Sequence, residues 1–169
     1  MTKKIMLLLM MLFLSYMKSY SQDDKFKALF MYNFTKYLEW PAERQTGDFI
    51  IGIYGTSAIT EELRTITSNK KVGNQNIVIK VFDSPTGTGN CHILFIPEGR
   101  SSKVEEVKNA CSGSATALIT EKPGMAKTIS GLNYVKINGK QSFEINKANL
   151  EKQGIKVNSV LLSLGVPVQ

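Results

Sequence analysis

Four short runs dominated by β-branched and aromatic residues recur along the chain, at Phe49 to Tyr54, Ile77 to Phe82, His92 to Ile96 and Thr116 to Thr120. Runs of this length read as strands: Phe49 to Tyr54, bounded by Gly47-Asp48 and Gly55, as a buried one, and Ile77 to Phe82 as one that alternates branched apolar residues with a lysine. Helix-like stretches lie between and before them. The segment 23–39 opens with Asp23 and Asp24, where carboxylates suit the helix dipole, and carries Phe26, Leu29, Phe30, Phe34, Tyr37 and Leu38 at helical spacing. Pro41 then pushes Trp40 out of the helical region. A second helix is expected from about Thr60 to Ile66. A third is opened by Ser102 with Glu105 three residues on, a capping-box pattern, and runs to about Cys111, with Gly113 placed to end it. Strands alternating with helices predict an α/β sandwich with parallel central strands.

The last third changes character. Leu132 to Ile137 and Gln141 to Ile145 flank Asn138-Gly139-Lys140, which reads as an antiparallel hairpin at one edge of the sheet. A polar helix near Lys147 to Gln153, a Gly154 stop and an apolar segment Val160 to Leu164 follow. Asp83 to Asn90 offers only eight residues between two strands, fewer than the dozen or so that a parallel crossover needs. Either one helical turn suffices there or those strands are not parallel neighbours.

Residues 1–21 stand apart in composition. Lys3 and Lys4 precede ten uninterrupted apolar residues, Ile5 to Leu14, and Ser19-Tyr20-Ser21 supplies a small-residue cleavage pattern before Gln22. This order is that of a cleaved secretory signal peptide, and the apolar run is about half of the roughly 20 residues that span a bilayer. The expected mature protein is a single exported domain, 22–169. Without residues 1–21, three lysines and no acid are lost, so 18 cations face 14 acids and the net charge falls from +7 to +4. A chain of this length buries roughly 70% of its unfolded surface and needs no metal to fold. The lysines are scattered rather than striped, which argues against nucleic acid as a partner.

The residues offer little chemistry. His92 is the one histidine, lies in an apolar strand beside Cys91, and has no nucleophile and acid converging on it, so a structural role is the plainer reading. One His and two Cys make no recognised metal spacing, and no cofactor motif is present. Gly52-x-x-Gly55 lacks both the dinucleotide and the P-loop patterns and reads as a strand-to-helix turn. Cys91 and Cys111 are another matter. If a strand starts at Cys91 and the next helix ends at Cys111, both lie at one sheet edge, within reach of a disulfide in an oxidising compartment. Such a bond would close a loop of 21 residues, 91 through 111, and stabilise by roughly 3 kcal/mol.

Several segments together resemble one family. Lys27 to Pro41 (KALFMYNFTKYLEWP) is similar to the opening signature of the YfiR-like family, and Phe49 to Gly55 (FIIGIYG), Cys91 to Ile96 (CHILFI), Phe143 to Asn146 (FEIN) and Ile155 to Leu162 (IKVNSVLL) follow in the expected order. The resemblance covers nearly all of the chain beyond residue 21. It implies a Rossmann-like, three-layer α/β sandwich without a catalytic site. It further implies a periplasmic regulator that binds the sensor region of an inner-membrane diguanylate cyclase and holds it inactive, with release by an outer-membrane lipoprotein and with homodimer formation. The family motif covers Cys91 but not Cys111. The segment Thr120 to Ser130 departs from the acid-Gly-Phe and paired-glycine pattern of relatives.

Phe26, Phe30, Phe34 and Tyr37 recur every three to four residues and are expected in the core. Tyr32 and Lys36 fall off that stripe. With Trp40 as a large anchor, they are the candidate partner contacts. The alternative function is a small periplasmic ligand-binding protein that uses the crevice at the carboxyl ends of the parallel strands.

Overall fold

The computed structural model describes residues 22–169. The expected signal peptide, 1–21, lies outside the described residues. Helix α1 covers 22–37 and runs directly into β1, Leu38–Glu39. There follow β2 (Phe49–Tyr54), α2 (Ile59–Thr67), β3 (Lys71–Val72), β4 (Gln75–Phe82), β5 (Ile93–Ile96) and α3 (Val104–Ala110). The chain continues through β6 (Ala117–Thr120), α4 (Met125–Thr128), β7 (Leu132–Ile137), β8 (Lys140–Ile145), α5 (Lys147–Lys152), β9 (Lys156–Val157), α6 (Ser159–Leu164) and β10 (Val166–Pro167).

Eight strands form one sheet in the order β10-β8-β7-β6-β5-β2-β4-β3, and β1 pairs antiparallel with β9 in a separate small ribbon. The five central strands, β4, β2, β5, β6 and β7, are mutually parallel. Antiparallel pairs occur toward each end, β4 with β3 and β7 with β8. The hairpin is not the outermost pair, because β10 adds in parallel to β8. Its turn is tighter than the sequence suggests. Ile137 pairs with Lys140, and the two intervening residues, Asn138 (φ 51°) and Gly139 (φ 75°), both take the left-handed conformation that such a two-residue loop requires.

Alternation along each strand sends side chains into two separate cores. Phe49, Ile51, Ile53, Ile93, Phe95 and Ile119 join Ala28, Met31 and Phe34 of α1, Ile59 and Leu63 of α2, Leu150 and Leu161 in the larger core. Tyr54, Leu94, Ile96 and Leu118 point the other way and meet Val104 and Val107 of α3 together with both cysteines. Each fully buried Phe, Ile or Leu contributes about 1.5–3 kcal/mol. The chain leaves β2 through α2 toward β4 and leaves β5 through α3 toward β6. With right-handed crossovers, these opposite directions place α2 and α3 on opposite faces of the sheet.

The short link is explained by this order. β4 and β5 flank β2 and do not pair with each other. Residues 83–92 therefore cross over β2 rather than joining neighbours. Gly52 makes room for that crossing: a Cβ there would lie 2.5 Å from Cys91 Sγ and 2.7 Å from Leu94 Cδ1. Gly52 is thus fixed by close packing in mid-strand, and not by an anion cradle. The capping box does not form. A 3-10 turn, Glu98–Lys103, leads into α3, whose N-cap Lys103 makes no side-chain cap.

Candidate functional site

The lone histidine is built into the amino ends of the strands. His92 Nδ1 accepts from the Ile50 amide at 3.1 Å, and Nε2 bonds the Arg44 carbonyl oxygen at 2.7 Å. Nε2 is therefore the protonated nitrogen, and both ring positions are used within the fold. The ring stacks on Phe49 at 4.4 Å between centroids. Burial lowers the His92 pKa below its ordinary value, and the Arg44 charge adds to this, against the opposing hydrogen bond to the Arg44 oxygen. A ring held this way has no free nitrogen for a substrate.

Trp40 belongs to the same knot, which corrects the expectation that it is an outward anchor. It is 4% exposed, its Nε1 donates to the His92 oxygen at 3.2 Å, and its ring meets Phe49 edge-on at 4.9 Å. Arg44 ties the loop down by donating through Nη2 to the oxygens of Asn90 (3.0 Å) and Cys91 (2.7 Å).

Cys91 and Cys111 are both buried in the smaller core, at the shared edge expected from the sequence, and both are free thiols here; the expected bond is not formed in this structure. Burial pushes the Cys91 thiol up to about 12, with the neighbouring Cys111 reinforcing the shift. Burial also raises Cys111, whose Sγ lies 3.5 Å from Thr88 Oγ1. Among the described residues no group of three or more His, Cys, Asp or Glu is placed to hold a metal ion.

The carboxyl ends of the strands, where the alternative reading puts a ligand, are partly covered by the chain itself. The Arg100 side chain lies across Gly55 (φ 87°), so close that a Cβ there would come 2.5 Å from Nε. Beside it Lys27 pairs with Glu121 at 2.5 Å, and Glu121 Oε2 accepts from the Glu98 amide at 3.1 Å. The Tyr134 hydroxyl donates to the Lys27 oxygen at 2.7 Å. The recess left there, about 480 Å³, is open and lined by Lys27, Glu98, Glu121 and Tyr134 together with Pro123, Val135, Lys136 and Gln141.

Exposed apolar side chains lie on α1 and also on α6 and β10, where Val160, Leu164 and Val166 face solvent; the contacts expected from the sequence, Tyr32 and Lys36, fall on α1. Its buried stripe is Ala28, Met31, Phe34, Thr35 and, just beyond it, Leu38. Phe30 and Tyr37 only pack against the core, and Phe26, expected inside, is 43% exposed, as is Leu29. Tyr32 and Lys36 lie on the outward side with these two, and Lys36 Nζ stands 4.7 Å from the centre of the Tyr32 ring while donating to Asn33 Oδ1 at 3.0 Å. The structure therefore keeps Tyr32 and Lys36 together on a surface, removes Trp40 from it, and adds Phe26 and Leu29. A wider groove of about 670 Å³ begins at Lys36 and runs between the β1–β9 ribbon and the β3–β4 turn.

The strand order and the helices on both faces define a Rossmann-like, three-layer α/β sandwich. A YfiR/HmsC-like family model matches residues 24–166. The chain belongs to this family of periplasmic regulators. A comparison with curated proteins returns no match. Among the described residues no helix is long and apolar enough to cross a membrane.

Proposed function

We propose that this chain is a non-catalytic periplasmic regulator that binds the periplasmic sensor region of an inner-membrane signalling protein, a diguanylate cyclase or a receptor of similar build, and represses it. One observation carries the reading: the first helix, inside the family's match, turns Phe26 and Leu29 to solvent beside Tyr32 and Lys36. Apolar side chains grouped on one outward helix face beside an aromatic ring suit a protein contact. His92, the residue best suited to acid–base chemistry, is meanwhile committed to the core.

Repression follows from differential affinity. A protein that binds the inactive state of a two-state receptor more tightly than the active one shifts the population by that difference alone, and a hundredfold preference corresponds to about 2.7 kcal/mol. An outer-membrane lipoprotein competing for the same protein would relieve the repression. The test is crosslinked capture from cell envelopes with the tagged mature chain, followed by assay of the captured protein. Recovery of a membrane protein bearing a periplasmic sensor and a cyclase or kinase domain, with output reduced when the chain is added back, supports the proposal. Recovery of no such protein, or an output that the chain leaves unchanged, refutes it.

A further inference from the structure

We propose that the outward face of α1 docks an acidic amphipathic helix of the partner, its apolar side chains covering Phe26, Leu29 and Tyr32 and its carboxylates meeting Lys25 and Lys36. This rests on the regulatory reading above and names the chemistry of the contact. At 100° per residue, Lys25, Phe26, Leu29, Tyr32, Asn33 and Lys36 fall within an arc of about 120° on α1. That arc holds two cations and no acid. The nearby carboxylates are turned elsewhere: Asp23 pairs with Lys136 at 2.5 Å, and Asp24 approaches Lys27 at 4.0 Å. Lys25 and Lys36 bracket the apolar residues at eleven positions' separation, about 16 Å along the helix axis. A second helix lying along α1 presents carboxylates at that spacing three turns apart, with its own apolar ridge between them.

A lipid surface fits less well. Helices that lie in a membrane interface immerse a broad apolar face and carry many cations on the other. The broad apolar face of α1 is already spent on its own core, through Ala28, Met31 and Phe34. What is left is two half-exposed apolar side chains and a lysine held in a fixed direction by Tyr32 and Asn33, which suits a shaped, oppositely charged protein surface.

The probe is a labelled helical peptide of about fourteen residues with leucines at helical spacing flanked by glutamates, beside a counterpart with lysines in place of the glutamates. Vesicles of phosphatidylethanolamine and phosphatidylglycerol form a third arm. The mature chain is expected to bind the acidic peptide at least tenfold tighter than the basic one. Raising the salt from about 50 mM to about 500 mM should weaken that binding severalfold. Leu29→Glu should weaken it at least tenfold, Lys25→Glu with Lys36→Glu should reverse the preference between peptides, and Val81→Glu on β4 should leave it unchanged; circular dichroism confirms that each variant is folded. Equal binding of both peptides, binding of neither, binding to vesicles alone, or full binding by folded Leu29→Glu would each overturn the proposal. Capture of a signalling receptor that is as strong with Leu29→Glu as with the native chain would overturn this face while leaving the regulatory reading standing; capture of no receptor at all would remove that reading instead.

Discussion

The indole Nε1 of Trp40 donates to the backbone oxygen of His92 at 3.2 Å, a contact across 52 residues of sequence that fastens the end of α1 to the amino ends of the parallel strands. The same oxygen accepts from the Ala117 amide at 2.8 Å. Trp40 is therefore a peg in the fold. Trp40→Ala should cost about 3–5 kcal/mol through the cavity it leaves. Trp40→Phe keeps much of the ring volume and gives up the hydrogen bond, for roughly 1 kcal/mol beyond repacking. Urea unfolding followed by circular dichroism measures both. A loss under 1 kcal/mol in Trp40→Ala would show that the contact is not made.

His92 gives stability a pH dependence of known sign. Its pKa is lower folded than unfolded, so the unfolded chain takes up the proton first on acidification. The contribution is complete above the unfolded value near 6.5, and is lost as pH falls below it toward the folded value, with a slope of at most about 1.4 kcal/mol per pH unit. Unfolding free energies measured between pH 5 and pH 8 should show this fall, and His92→Gln, less stable throughout, should lack this component. An unchanged slope in the variant would assign the dependence to other groups.

Gly52 tests the crossing of the 83–92 segment over β2. With Cys91 Sγ at 2.5 Å and Leu94 Cδ1 at 2.7 Å from the position of a Cβ, Gly52→Ala should destabilise by about 1–3 kcal/mol through overpacking. Adding Cys91→Ala removes the nearest atom and should return part of that loss, which a double-mutant cycle reads as coupling. Strict additivity of the two changes would mean that they do not touch.

The cysteines give a second pH window, at the alkaline end. The folded Cys91 thiol titrates at about 12 against an ordinary value of 9.0, so above pH 9 the unfolded chain releases its proton first. Stability held below pH 9 is then lost as pH rises toward 12, and Cys91→Ala should flatten that decline. Thiol titration of the native protein should show little reaction at neutral pH, because the thiolate is the reactive form. Denatured, unreduced protein should show two thiols. A count of zero would instead establish the Cys91–Cys111 bond.

The strands were legible from their branched runs: β2, β5 and β6, buried on both faces, and β4, which leaves Lys80 and Val81 exposed, fall at or within two residues of where Phe49 to Tyr54, His92 to Ile96, Thr116 to Thr120 and Ile77 to Phe82 place them. Two-residue strands such as β3 and β10 carry no periodicity, and only their partners define them. Helix α1 misled for a physical reason. Its apolar residues fall on more than one side, so spacing alone admits more than one inward stripe, and the fold buries Ala28 and Met31 with Phe34 rather than Phe26. Tyr32 and Lys36 were legible as outward residues. Phe26 and Leu29 were not, because local burial preference places large apolar side chains inside. The burial of Trp40 is not legible locally, because its hydrogen-bond partner, the His92 oxygen, is brought close only by the tertiary fold.

The most direct measurement places a photo-activatable amino acid at position 29 of the exported chain in living cells and identifies what it captures, with position 81 as the control. Capture from position 29, and not from position 81, of an inner-membrane protein with a periplasmic sensor joined to a cyclase or kinase domain is the expected result. Lipid adducts alone, or the same captured proteins from both positions, would contradict a regulator that works through the face of its first helix.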